Sequence, residues 1–116
     1  MRTRVAILIS GRGSNMASLI EAARDPAYPA EIALVISNRP SAPGLARAEA
    51  AGLATATVDH TLYPDRAAFE AELGRLLAEY RIELVCLAGF MRIFTDRFVE
   101  SWSRKGKGNP RAALGV

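Results

Sequence analysis

The sequence predicts an α/β fold built on one mostly parallel sheet. Four short apolar runs recur along the chain: R-V-A-I-L-I at 4–9, E-I-A-L-V-I-S at 31–37, A-T-A-T-V at 54–58 and E-L-V-C-L-A at 83–88. Near-continuous apolar runs of this length are what strands buried on both faces look like. Helical patterns fill the gaps between them, as right-handed β-α-β crossovers require. The first run also leads directly into Gly11-Arg12-Gly13-Ser14-Asn15, a glycine-rich turn placed where a strand passes into a helix.

The elements follow in order. The first strand spans 4–9, and the first helix runs from about Asn15 to Arg24 with Met16, Leu19, Ile20 and Ala23 on one face. Asp25-Pro26 stops that helix, because the residue before proline is driven out of the α region. The second strand covers 31–37, and Asn38-Arg39-Pro40-Ser41 turns the chain. A short Ala-rich helix starts at Pro43 and closes at Gly52. The weak third strand, 54–58, leads through Pro64-Asp65 into the longest helix, about 65–80. Its buried stripe is Phe69, Leu73, Leu76, Leu77 and Tyr80. The fourth strand is 83–88. The first and fourth runs are the most hydrophobic and are assigned to the sheet centre, so the loops after them, 11–15 and 89–94, share one rim. Ligands of open α/β sheets bind outside the carboxyl ends of the strands, where strand order reverses.

Composition bounds the function. A chain of 116 residues is at most one domain, and half of it is apolar, enough for a real core. A single cysteine, Cys86, excludes an internal disulfide framework and points to a reducing, cytoplasmic setting. No run approaches a membrane span. The net charge of +3 is not evenly spread. Residues 1–102 carry eleven arginines against twelve acids, a net −1, whereas Arg104, Lys105, Lys107 and Arg111 give 103–116 a net +4. That short basic tail has no aromatic residue and no period, which argues for a solvated, disordered segment over a nucleic-acid partner.

Gly11-Arg12-Gly13-Ser14-Asn15 is not a dinucleotide fingerprint, since Met16 stands where the third glycine belongs, and it is not a Walker A loop. Two readings remain. The N–H groups of Gly13, Ser14 and Asn15 can cradle one phosphate at a helix start, or Ser14 simply caps the helix. Asn38, where a nicotinamide site presents an acid, disfavours that class. His60, the only histidine, reads as a loop residue rather than a general base, which would need an orienting partner and a nearby substrate, and with one Cys a zinc site is disfavoured. Cys86 reads as a small buried hydrophobe. Gly89-Phe90-Met91-Arg92-Ile93-Phe94 offers either an apolar slot for a flat heterocycle or a hydrophobic cover for the sheet edge. Arg66 is a solvated first-turn residue or a contact for an anionic ligand tail.

The motifs V-A-I-L-I-S-G-R-G-S-N-M, V-I-S-N-R, Asp65-Arg66 and L-A-G-F-M-R-I-F at 87–94 together resemble phosphoribosylglycinamide formyltransferase, continuously from about Val5 to Trp102. The resemblance implies the Rossmann-like, mostly parallel sheet of the formyltransferase fold. It implies transfer of formyl from 10-formyltetrahydrofolate to the amine of glycinamide ribonucleotide in purine synthesis. By the same resemblance, Gly13, Ser14 and Asn15 take the substrate phosphate, while Arg66, Met91, Arg92, Ile93 and Phe94 form the folate side. No metal is implied.

The pattern then breaks. The family's catalytic Asn and His lie in an N-I-H-P stretch, and its catalytic Asp comes later. Here 103–116 reads S-R-K-G-K-G-N-P-R-A-A-L-G-V, with Asn109 between Gly108 and Pro110 and no histidine after His60. No catalytic residue is therefore assigned. The expectation is a partial formyltransferase domain over 1–102, its sheet truncated after four strands, followed by a disordered or frameshifted tail that lends no strand to the sheet.

Overall fold

The computed structural model describes residues 2–90, 95, 98 and 111–113, with Ser14 and 111–113 described by backbone alone. Its strands are β1 (Thr3–Ile9), β2 (Ala30–Ser37), β3 (Thr55–Thr57), β4 (Leu84–Leu87) and β5 (Arg111–Ala113). Its helices are α1 (Ser14–Ala23), α2 (Pro43–Ala50) and α3 (Arg66–Glu79), with a 3-10 turn over His60–Leu62. The sheet order is β3-β2-β1-β4-β5 and every pairing is parallel.

The four expected strands are present and β1 is central. Its residues alternate between two cores. Ala6 and Leu8 join Leu34, Ile36 and Val85 under Phe69, Leu73 and Leu77 of α3. Val5, Ile7 and Ile9 join Val35 and Cys86 against Met16 of α1 and Ala48 of α2. So α1 and α2 cover one face and α3 the other. Val5 pairs with Ile32 but Ala6 with Leu34, so one extra residue of β2 bulges between them. Cys86 is buried and free, and burial pushes its thiol up from the ordinary value.

Two sequence expectations change. The pattern of 103–116 offered no strand, yet Arg111–Ala113 lies parallel to β4, with Leu84 opposite Arg111 and Cys86 opposite Ala113. The edge of a buried strand presents unpaired N–H and C=O groups, and backbone pairing to it needs no side-chain period. The rest of that tail, and with it the expected boundary at 102–103, lies outside the described residues. The other change is at the start of α1. Its N-cap is Gly13, at φ 71°, and Ser14 is already helical, so the reading of Ser14 as the cap gives way.

Helix α3 begins with a side-chain cap: the Asp65 carboxylate accepts from the Ala68 N–H at 2.9 Å. Asp65→Ala is expected to lower stability by about 1 kcal/mol, read as a shift of the urea midpoint at unchanged slope. An unchanged midpoint would mean that packing alone starts the helix.

Candidate functional site

Order β3-β2-β1-β4 means that β1→β2→β3 steps one way, and α3 then carries the chain back past β1 to β4. The reversal falls between β1 and β4. The loops leaving their carboxyl ends, Ser10 to Gly13 and Ala88 onward, flank the crevice this topology creates.

The loop after β1 is built from below by α2. The Gly44 N–H donates to Gly11 O at 2.9 Å. A Cβ on Gly44 would lie 2.5 Å from Ile9 Cδ1, 2.9 Å from Gly11 O and 3.2 Å from Arg12 O. Only glycine lets α2 approach the loop this closely. Gly13 is buried, and its left-handed φ lets the chain turn abruptly into α1, whose first intrahelical bond runs from the Ala17 N–H to Gly13 O at 2.9 Å. The first turn has neither an acidic residue nor a side-chain cap at the N-cap position. Its backbone amides, Ser14 and Asn15 among them, belong to the positive end of the helix dipole. Asn15 is exposed at this end.

Three loops are tied together behind it. Ser10 Oγ donates to Asn38 Oδ1 at 2.6 Å, and Asn38 Nδ2 lies 3.1 Å from His60 Nδ1. Ser10, Asn38 and His60 follow β1, β2 and β3 in turn. Asn38 is 1% exposed and faces inward, so it serves the scaffold and not a ribose. Arg39 is exposed beyond it, its own N–H donating to Ser37 Oγ at 2.9 Å. Asp59 caps the 3-10 turn that carries His60. The hydroxyl and N–H of Thr61 hold its carboxyl below the ordinary value.

On the far side of the crevice, Gly89 adopts φ 75° and Phe90 stacks on Phe69, with ring centroids 6.5 Å apart. Met91, Arg92, Ile93 and Phe94 lie outside the described residues. Beyond them, Glu70 of α3, 8% exposed, accepts from the Thr95 N–H at 2.6 Å and from the Thr95 hydroxyl at 2.5 Å. Thr95 Oγ1 in turn accepts from the Phe98 N–H at 3.3 Å. This is the bonding of a capping box, with the glutamate supplied by α3. Arg66 is exposed at the first position of α3, one turn before Phe69 and Glu70.

The structure thus brings Gly13, Ser14 and Asn15 together at one helix start and puts Arg66 at the start of another on the same rim. Gly44 and Glu70 escaped the sequence reading, as did the part Asn38 plays in tying the loops together. Glu70 had a signal, an acid three and seven residues before Leu73 and Leu77 on the buried stripe. Gly44 had a weaker one, a glycine immediately after the helix-starting proline. Among the described residues no cluster of His, Cys, Asp or Glu could hold a metal, and no helix is long and apolar enough to cross a membrane. A concavity at the opposite, amino end of the sheet is lined by Arg2, Arg4, Glu31 and Glu83. Two of its arginines are engaged by the scaffold: Arg2 donates to Ala23 O, Tyr28 O and Ala30 O, and Arg4 to Tyr80 O.

Comparison with known proteins shows the family. The family model described as formyl transferase matches residues 3–106. The trifunctional purine biosynthetic protein adenosine-3 of Bos taurus is 47% identical over 104 residues, which are 90% of this chain and 10% of that protein. The phosphoribosylglycinamide formyltransferase of Escherichia coli is 37% identical over 99 residues, 85% of this chain and 47% of that one. The crystal structure of phosphoribosylglycinamide formyltransferase from Brucella melitensis superposes with a TM-score of 0.83 at 44% identity, covering 85% of this chain and 52% of that one. The chain therefore spans about a tenth of the trifunctional relative and about half of the single-activity ones.

Proposed function

Because the chain belongs to the formyl transferase family, we propose that it carries the substrate-holding half of a glycinamide ribonucleotide formyltransferase. The observation that carries this reading is the start of α1. A left-handed glycine with α2 wedged beneath it turns a row of helix-start amides toward the carboxyl rim, a geometry suited to one phosphate. In this reading Gly13, Ser14 and Asn15 hold the phosphate of glycinamide ribonucleotide, through backbone N–H groups that need no charge of their own.

The folate side is proposed across the crevice. Arg66 is exposed and has no ion pair among the described residues, and it stands at a helix N-terminus, which fits an anionic tail. Met91, Arg92, Ile93 and Phe94 are proposed as the walls for the bicyclic ring. A bound 10-formyltetrahydrofolate supplies an activated one-carbon electrophile. This chain's residues would hold the substrate amine beside it, and holding two reactants in register removes much of the entropic part of a barrier.

The rest of the barrier is electrostatic. Attack of an amine on a formyl carbon puts negative charge on the formyl oxygen and leaves a proton to be removed from nitrogen. The sequence contains no counterpart of the family's N-I-H-P stretch, and His60 is turned toward Asn38 behind the phosphate loop. We therefore assign this polypeptide binding without transfer. A second reading, a non-catalytic sugar-phosphate-binding unit, rests on the same loop and differs only in having no folate site.

Calorimetry separates the two. The proposed function expects both glycinamide ribonucleotide and a folate analogue to bind; the second reading expects only the first, and binding of neither would overturn both. Gly13→Val tests the loop. A Cβ there would lie 2.8 Å from Met16 Cε on a backbone at φ 71°. It should weaken glycinamide ribonucleotide about tenfold while sparing the folate analogue. Equal weakening of both would mean general unfolding instead.

A further inference from the structure

The Ser10–Asn38–His60 chain contains a choice. Ser10 Oγ donates to Asn38 Oδ1, which turns Asn38 Nδ2 toward His60 Nδ1, 3.1 Å away. A ring nitrogen accepts from an N–H only when it carries no proton, so this arrangement needs neutral His60 protonated at Nε2. The same Nδ1 lies 3.3 Å from the backbone O of Asn38, an acceptor only. With a proton on Nδ1, the carbonyl becomes its partner and the side-chain amide is left facing a donor. One ring nitrogen therefore has two mutually exclusive partners on one residue.

Asn38 cannot absorb that change in solvent, being 1% exposed. A buried amide left facing a donor is costly, so the amide turns over and presents Oδ1 to the imidazole. Nδ2 then faces Ser10, whose hydroxyl must switch from donor to acceptor. Ser10 is joined directly to Gly11, whose carbonyl holds α2 and whose loop ends at Gly13. We propose that His60 is a positioning residue for the loop after β1: its proton state, passed through the Asn38 amide, sets the hydroxyl of Ser10 and so the loop's hold on a phosphate or sulfate group. The binding half of this statement rests on the phosphate reading above; the coupling half does not.

The charged groups on the segments that meet here are Asp59 beside His60, Arg39 after β2, Arg12 in the loop itself, and Asp65 with Arg66 at the start of α3. None of these belongs to a residue type that ordinarily titrates between pH 5.5 and 8, and His60 is the only histidine.

The test is a pH series on the full 15N-labelled chain by NMR. At pH 8 the ring should show the Nε2–H tautomer. On acidification the Asn38 side-chain amide and the Gly11 and Gly13 N–H signals should move with the same midpoint as the ring. His60→Gln, which offers an acceptor oxygen and no proton to lose, should hold those signals at their high-pH positions throughout. Inorganic sulfate, a dianion across this range, should bind the wild type about fivefold more tightly at pH 8 than at pH 5.5, and His60→Gln equally at both. An Nδ1–H tautomer at high pH, loop amides that ignore the ring, or a loop titration that survives in His60→Gln would overturn the coupling. Tighter sulfate binding at low pH would also overturn it, because it would mark His60 as a simple positive charge. Absence of sulfate binding at every pH would count against the phosphate reading, while the NMR titration still decides the role of His60.

Discussion

Gly44→Val is expected to cost about 3 kcal/mol of stability and to abolish binding at the loop after β1. The added Cβ would fall 2.5 Å from Ile9 Cδ1 and 2.9 Å from Gly11 O. Ile9 is fully buried and has nowhere to retreat. Gly11 O is backbone, and moving it breaks the Gly44 N–H bond that fixes the loop. So α2 must lift away from β1, opening the core around Met16 and Ala48. Gly74→Ala is the control. Gly74 lies inside α3 with nothing within 4 Å of an added Cβ. It should stabilise the fold by about 0.5–1 kcal/mol through helix propensity. Urea unfolding of the three proteins should therefore move in opposite directions from wild type. A loss below 1 kcal/mol in Gly44→Val would show that loop and helix are not locked together.

The second large effect concerns rate. Given glycinamide ribonucleotide and 10-formyltetrahydrofolate, the purified 116-residue chain is expected to form no formylated product above a no-protein control. Removing a single oxyanion donor costs about a hundred- to a thousandfold in turnover, and a missing general acid or base costs a comparable factor. A polypeptide of these 116 residues, with no counterpart of the N-I-H-P stretch, should fall at least about ten-thousandfold short. Joining the corresponding later portion of a family member to residue 102 should restore transfer. Changing the restored His should then lower turnover while leaving substrate affinity nearly intact. Product from the unmodified chain would sink the assignment of binding without transfer.

The fold was legible where the physics is local. β1 and β2 are buried on both faces, so their sequences are almost unbroken apolar runs, and the pairing of β1 with both β2 and β4 follows from that. The α3 stripe was legible for the same reason: Phe69, Leu73 and Leu77 are buried, with Leu76 and Tyr80 packed at the margin. β5 was not, because its pairing is dictated by the edge of β4 and not by a pattern in Arg111–Ala113. At the site, Gly13 could be read directly, since only its backbone freedom was at issue. Asn38 could not. Its place after β2 was evident, but whether its amide faced a ligand or a neighbouring loop depended on Ser10 and His60, which are 28 residues before it and 22 after it.

The central place of β1 has a consequence for how the chain acquires its structure. Of the five strands β1 is made before the other four, and it takes its second neighbour from a segment some 79 residues later, the separation across the Arg4–Glu83 bond. Until that neighbour arrives, a seven-residue strand with five buried apolar residues at its end has one edge open. Long-range parallel pairing is slow, because much of the chain's freedom is lost before the contacts that reward it can form. The vulnerable interval is the translation of β2 through α3, and pulse-labelled nascent chains halted before Leu84 should be the form most readily captured by chaperones or lost to aggregation.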